Sequence, residues 1–192
     1  MTRHYHPAHR RQAIQWARGL MARGFLVLDT ETTGLGTADQ IVEIAIIDQA
    51  GHTRIHQRIK PSISIPPAAS RIHGISDADI VDAPTFRQLY IKLSALLAGE
   101  VVVAYNMDFD WRLLLQTASV YKLPEPRVAK RDCAMKQYAR YKGERNPKGR
   151  HYRPHKLTAA VHREGLSASG AHSSLGDARM TLALLGKMAE AT

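Results

Sequence analysis

Apolar and polar positions follow two different periods along the chain, and the switches between them lay out its elements. "FLVLDTE" (residues 25–31) is a nearly continuous apolar run that ends in acids, the pattern of a buried strand. "QIVEIAIID" and "GHTRIHQRI" read as two more strands, joined by a tight turn at Gln49-Ala50-Gly51 into an antiparallel hairpin. "EVVVAYN" reads as a fourth strand and the stretch near Arg127–Lys130 as a short fifth. Helical spacing appears over 7–23, where Ile14, Leu20 and Met21 are sparse apolar positions. It recurs in "APTFRQLYIKLSALLAG", where Phe86, Leu89, Leu93 and Leu96–Leu97 share a face, Pro84 favours the start and Gly99 the stop. "FDWRLLLQTASVYKL" reads as a helix ended by Pro124, and further helices are expected around 132–141, 156–164 and 174–190. "PSISIPPAASRIHGIS" contains three prolines and reads as a structured loop.

Three strands followed by alternating helix and strand predict an α/β fold, a mixed sheet with helices on both faces. Sites in such sheets gather where strand ends meet helix starts. The 192 residues suit one such domain. No apolar run approaches the ~18 residues of a membrane span, and the N-terminus has no signal-peptide core. A single cysteine, Cys133, excludes an internal disulfide and a multi-cysteine zinc site. A cytoplasmic setting with no membrane partner is the expectation.

Charge divides the chain. The formal net charge is +10, with five Arg and no acid in residues 1–24. Residues 127–156 hold eleven Lys and Arg against two acids, while residues 25–126 carry a net −4. A mildly acidic body with two basic segments suits a polyanion partner. The organisation expected is a basic N-terminal helical arm (1–24) and a main domain (25–192) bearing a mobile basic loop at 142–155. Within the basic region, Tyr138, Tyr141 and Tyr152 are candidates for stacking on bases. "HYHPAH" (4–9) reads as a His-bearing tail rather than a metal site.

The chemistry lies in the acids. Side chains two apart on a strand share a face, so Asp29 and Glu31 stand together and repel each other unless a cation lies between them. "YNMDFD" (105–110) adds Asp108 and Asp110 at the next strand-to-helix junction. In "GAHSSLGDARM", Ser173 or Ser174 caps the last helix, which places Asp177 in its first turn and His172 on the loop before it. A set of hard oxygen ligands suits Mg²⁺ or Mn²⁺. Two such ions can clamp a phosphodiester, and His172 has a suitable unperturbed pKa to take a proton from water.

"LDTETTG", "YNMDFD" and "HSSLGD" resemble, in order and form, the motifs of the DEDDh (DnaQ-like) 3′→5′ exonucleases. That group includes proofreading subunits of DNA polymerase III and has the ribonuclease H-like fold, here a five-stranded mixed sheet. The resemblance spans roughly residues 25–190. It implies that Asp29, Glu31, Asp110 and Asp177 hold two divalent ions and that His172 is the general base. It also implies that Asp110 is a ligand and Asp108 the variable position. Thr32, Leu35, Ile72, His73 and Asn106 would contact the terminal nucleotide or orient the site. The implied reaction releases nucleoside 5′-monophosphates from a single-stranded 3′ end, DNA ahead of RNA, and a DNA polymerase is a candidate partner. Tyr105 stands where many members have His, and Met107 where a small residue is common. The rival readings are an RNA-trimming exoribonuclease and a non-catalytic nucleic-acid-binding module on the same scaffold.

Overall fold

The computed structural model describes residues 7–146 and 151–192. Helix α1 (Pro7–Arg23) leads into β1 (Leu26–Thr32), β2 (Ile41–Asp48) and β3 (Thr53–Arg58). Then come α2 (Pro67–His73), a 3₁₀ turn (Asp77–Ile80), α3 (Phe86–Leu97), β4 (Val101–Ala104) and α4 (Met107–Val120). The chain continues with β5 (Lys130–Cys133), α5 (Ala134–Lys142), α6 (Leu157–Arg163) and α7 (Ser174–Glu190). The five strands lie in the order β3-β2-β1-β4-β5; β1, β2 and β3 pair antiparallel, and β4 runs parallel to both β1 and β5. This is the mixed, ribonuclease H-like sheet the sequence predicts.

Alternation along the central strands sorts side chains between two cores. Leu26, Leu28, Ile44, Ile46, Val102 and Ala104 face the layer of α3 and α4. Val27, Ala45, Ile47 and Val103 face the layer of α1, α5, α6 and α7. Because the period is two, Asp29 and Glu31 continue the row begun by Val27 and emerge toward α7.

Four features depart from the sequence reading. Read from the sequence as a basic helical arm ahead of the motif-bearing segment, α1 buries Ala13, Ile14, Ala17 and Leu20 in the α7-side core. Burying Ile14 and Leu20 stabilises the fold by about 1.5–3 kcal/mol each. Its polar face reaches the other chain end: Arg18 Nε and Nη2 donate to the carbonyls of Ala189 and Ala191, each at 2.8 Å, and Arg10 Nη1 to that of Thr192 at 2.7 Å.

The proline-rich loop contains α2, because Pro67 occupies the first helical turn, where its missing N–H costs nothing, and Gly74 ends the helix in the left-handed region. Strand β5 runs from Lys130 to Cys133, a few residues later than expected, since its charged side chains suit an edge strand rather than a buried one.

The basic segment is pinned at both ends. Asn146 N–H donates to the His151 carbonyl at 3.1 Å and Arg153 N–H to that of Glu144 at 2.7 Å, while Arg163 Nη1 meets the Glu144 carboxylate at 2.6 Å. Lys148 and Arg150 lie outside the described residues, as does the start of the His-bearing tail. Tyr138 and Tyr141 are buried in the core and present no free ring for stacking.

Candidate active site

The C-terminal end of β1, the start of α4 and the start of α7 meet at one cleft of about 180 Å³. Its lining includes Asp29, Thr30, Glu31, Tyr105, Asn106, Phe109, Asp110, Leu157, His172 and Asp177. Carboxylate oxygens of Asp29, Glu31 and Asp177 all lie within 4.8 Å of one another. Asp110 approaches from the α4 side, where Thr30 Oγ1 donates to its Oδ1 at 2.8 Å.

Four carboxylates in a shared, partly dry space hold their protons tightly. Burial, with Asp110, Asp177, Glu31 and Glu43 nearby, raises Asp29 well above the ordinary aspartate value. Glu31 is pushed up to about 8, by burial first and then by Asp177, Glu43 and Asp110. Asp110 rises to about 7 through burial, moderated by the hydroxyl and backbone of Thr30. Asp177 is raised by burial and held back by the His172 amide and ring. A multivalent cation placed among them would relieve this repulsion.

The α7 end is built for close approach. Ser173 caps the helix, its Oγ accepting from Gly176 N–H at 3.2 Å and donating to the Gly170 carbonyl at 2.8 Å. A Cβ on Gly176 would sit 1.9 Å from the Gly170 carbonyl oxygen, so no larger residue fits there. His172 takes a left-handed backbone, φ +65°, a conformation that costs a non-glycine residue on the order of 1–3 kcal/mol. Its N–H donates to Asp177 Oδ1 at 3.2 Å, which couples the exposed histidine to a cluster acid.

The remaining expected residues fall into three groups. Asn106 lines the cleft as the N-cap of α4. Thr32 is buried, its hydroxyl donating to the Gly34 carbonyl at 2.8 Å, and His73 stands beside the Thr32 backbone, its pKa lowered by burial. Leu35 and Ile72 are exposed apolar side chains, 78% and 60%, outside the lining of the cleft. Asp108 is exposed and paired with Lys136.

Two further residues bear on the site: Tyr105, which the motif reading noted without giving it a role, and Glu43, which it passed over. Tyr105 is buried against the cleft and donates its hydroxyl to the His155 carbonyl at 2.7 Å, tying the end of the basic segment to the site. Glu43, on β2, stands in direct register with Glu31. The signal for Glu43 was present: an acid in the middle of "IVEIAI" breaks an otherwise apolar strand.

A family model described as RNase_T, exonuclease, matches residues 26–185. The chain belongs to this exonuclease family. It is 40% identical over 171 residues to an uncharacterized exonuclease, CP81, of Escherichia phage 186, covering 86% of this chain and 88% of the relative. It is 34% identical over 169 residues to the DNA polymerase III subunit epsilon of Treponema pallidum, covering 85% of this chain and 75% of that one. Its fold matches that of a 3′-exonuclease solved in 3′-end-specific recognition of a histone mRNA stem-loop. The TM-score is 0.71 at 18% identity, over 87% of this chain and 64% of the other. The exonuclease is therefore a nuclease by family, and among its described residues no helix is long and apolar enough to cross a membrane.

Proposed function

We propose that the protein is a metal-dependent 3′→5′ exonuclease that releases nucleoside 5′-monophosphates from single-stranded nucleic acid, DNA in preference to RNA. The observation that carries this reading is the approach of the Asp29, Glu31 and Asp177 oxygens to within 4.8 Å of one another, with Asp110 in the same cleft. Carboxylates that repel one another, held in place by the fold, gain free energy when a divalent cation replaces their protons. All-oxygen donors fit Mg²⁺ or Mn²⁺. Asp29, Glu31, Asp110 and Asp177 are assigned as the residues that hold two such ions. When bound, the pair supplies charge neutralisation at the scissile phosphate and lowers the pKa of the attacking water.

The protein's own groups divide the remaining work. Proton transfer falls to His172, since the phenol of Tyr105 is buried with its pKa raised and its hydroxyl is already engaged as a hydrogen-bond donor to the His155 carbonyl. The imidazole is exposed beside the acids, placed to accept a proton from water and release it to solvent. Asn106 and Phe109 form the wall against which the terminal nucleotide is set. Thr32, Leu35, Ile72 and His73 are assigned to the same end of the substrate. The cations of the 142–155 segment hold the phosphates further from the 3′ end, without regard to sequence.

Similarity to a DNA polymerase III subunit epsilon supports DNA as the substrate and a DNA polymerase as a candidate partner. RNA is the second reading, favoured by the shared fold with the exonuclease that recognises a histone mRNA stem-loop. Matched 5′-labelled DNA and RNA single strands, incubated with Mg²⁺ or Mn²⁺, test both. A ladder shortening from the 3′ end is expected, faster on DNA. Absence of cleavage of either strand with either ion overturns the proposal.

A further inference from the structure

Glu43 has no part in the chemistry above, yet it is 5% exposed and lies directly across from Glu31 on the neighbouring strand. Like charges so placed are destabilising, and a buried carboxylate needs partners. Its partners come from two sides. Oε2 accepts the Ser174 backbone N–H at 2.9 Å and the Ser174 hydroxyl at 2.6 Å. Oε1 faces His56 Nε2 at 3.4 Å and Arg58 Nε at 3.9 Å, both on β3. Register places Glu31, Glu43 and Arg58 in one row across three strands, on the face covered by α7.

The Ser174 amide belongs to the first turn of α7, whose N–H groups have no acceptor within the helix. Ser173 satisfies Gly176 locally, whereas Ser174 is satisfied from a strand 131 residues earlier. Negative charge at a helix N-terminus is also electrostatically favourable. The two site residues contributed by this region flank the contact, His172 two residues before Ser174 and Asp177 three after. His172 holds a left-handed backbone that its own side chain does not favour, so its placement depends on the loop and helix start being fixed.

We infer that Glu43 is a positioning residue: its clasp on Ser174 fixes the start of α7 against the sheet and thereby sets where His172 and Asp177 stand relative to Asp29 and Glu31. The kinetic consequence rests on the exonuclease reading; the structural consequence does not.

Glu43→Gln and Glu43→Ala separate the clasp from a simple charge effect, because glutamine keeps an oxygen acceptor for Ser174 and loses the charge. Amide exchange in peptides covering 170–180 should speed up about tenfold or more in Glu43→Ala and stay near wild type in Glu43→Gln. In nuclease assays Glu43→Ala should lose about 100-fold in kcat, the scale of a 1 Å misplacement. KM should move less than about threefold, as for an interaction that does not bind substrate. Glu43→Gln should recover most of that kcat. Ser174→Ala gives a smaller loss in the same direction that largely disappears in the Glu43→Ala background, and it decides the matter should Glu43→Ala fail to fold. Unchanged exchange in Glu43→Ala, or a Glu43→Gln variant as impaired as Glu43→Ala, overturns the inference. A wild-type protein without nuclease activity would instead overturn the proposed function, and the exchange measurement would still decide the clasp.

Discussion

Thr30 and Asp110, eighty residues apart, are joined by a buried hydrogen bond of 2.8 Å from the threonine hydroxyl to the carboxylate. Thr30 points away from its neighbours Asp29 and Glu31 because strand side chains alternate, so β1 offers acids to one face and their counterweight to the other. The bond favours the charged form of Asp110 against a burial that raises its pKa to about 7. Thr30→Val keeps the shape and removes the donor. The acid limb of the pH–rate profile should move to higher pH by about a unit or less, consistent with one hydrogen bond to a charged group. A profile superimposable on wild type would show that Asp110 does not govern that limb.

Removing a central carboxylate tests the ion-holding set. Asp29→Asn should abolish nuclease activity and the calorimetric signal of Mn²⁺ binding, since a neutral amide neither repels its neighbours nor binds the cation strongly. The variant should also melt at a higher temperature than wild type in chelator, because it relieves repulsion among the acids. Retained Mn²⁺ uptake would remove Asp29 from the ligand set.

His172→Ala should leave Mn²⁺ binding in place and lower kcat by about 10²- to 10⁴-fold, the range for general acid–base groups. Stability should change little, because alanine loses an exposed ring and keeps the N–H that donates to Asp177. A variant with the full rate would exclude His172 as the base.

Stability in chelator should depend on pH with a sign opposite to that set by the usual native carboxylate, whose pKa is lowered on folding. Glu31 titrates at about 8 in the folded protein against 4.5 as its ordinary value, and Asp110 at about 7 against 3.8. The folded state therefore binds more protons than the unfolded chain across that window, and stability falls as pH rises through it. His73 and His155, both lowered from 6.5 by burial, act in the opposite sense at and below that value. The cleft's contribution is thus clearest between pH 7 and 8. Melting temperature should drop over this interval, less so in Glu31→Gln, and Mg²⁺ or Mn²⁺ should raise it more at pH 8 than at pH 6. A wild-type melting temperature that climbs from pH 7 to 8 in chelator would contradict the raised carboxylates.

Neutralising Lys148, Arg150 and Arg153 together should weaken binding to all sequences alike and flatten its salt dependence by up to about three phosphate contacts' worth. An unchanged salt slope would detach this segment from substrate binding.

How much of this was legible before the structure depends on range. The strands around Leu28 and Ile46, and the α3 and α4 faces led by Leu93 and Leu114, were legible because periodicity is local. The convergence of Asp29, Glu31, Asp110 and Asp177 was legible only because three motifs fall at element ends in a recognisable order. Helix α2 was missed because Pro66 and Pro67 were read as breakers, when proline also starts helices. The burial of α1 was missed because its apolar positions are few and small, Ala13 and Ala17 among them, and small residues pack closely without standing out in a pattern. The pairing of Glu43 with Ser174 lies beyond any local signal, since strand and helix are 131 positions apart.

The interlock between α1 and the chain's last residues bears on how the protein is handled. Cutting before Phe25, where the motif-bearing segment begins, would remove the helix that packs along α7 and leave the Ala189 and Ala191 carbonyls without their arginine donors. A shortened version prepared on motif boundaries alone should aggregate, because the apolar row of α7 that α1 packs against would face water.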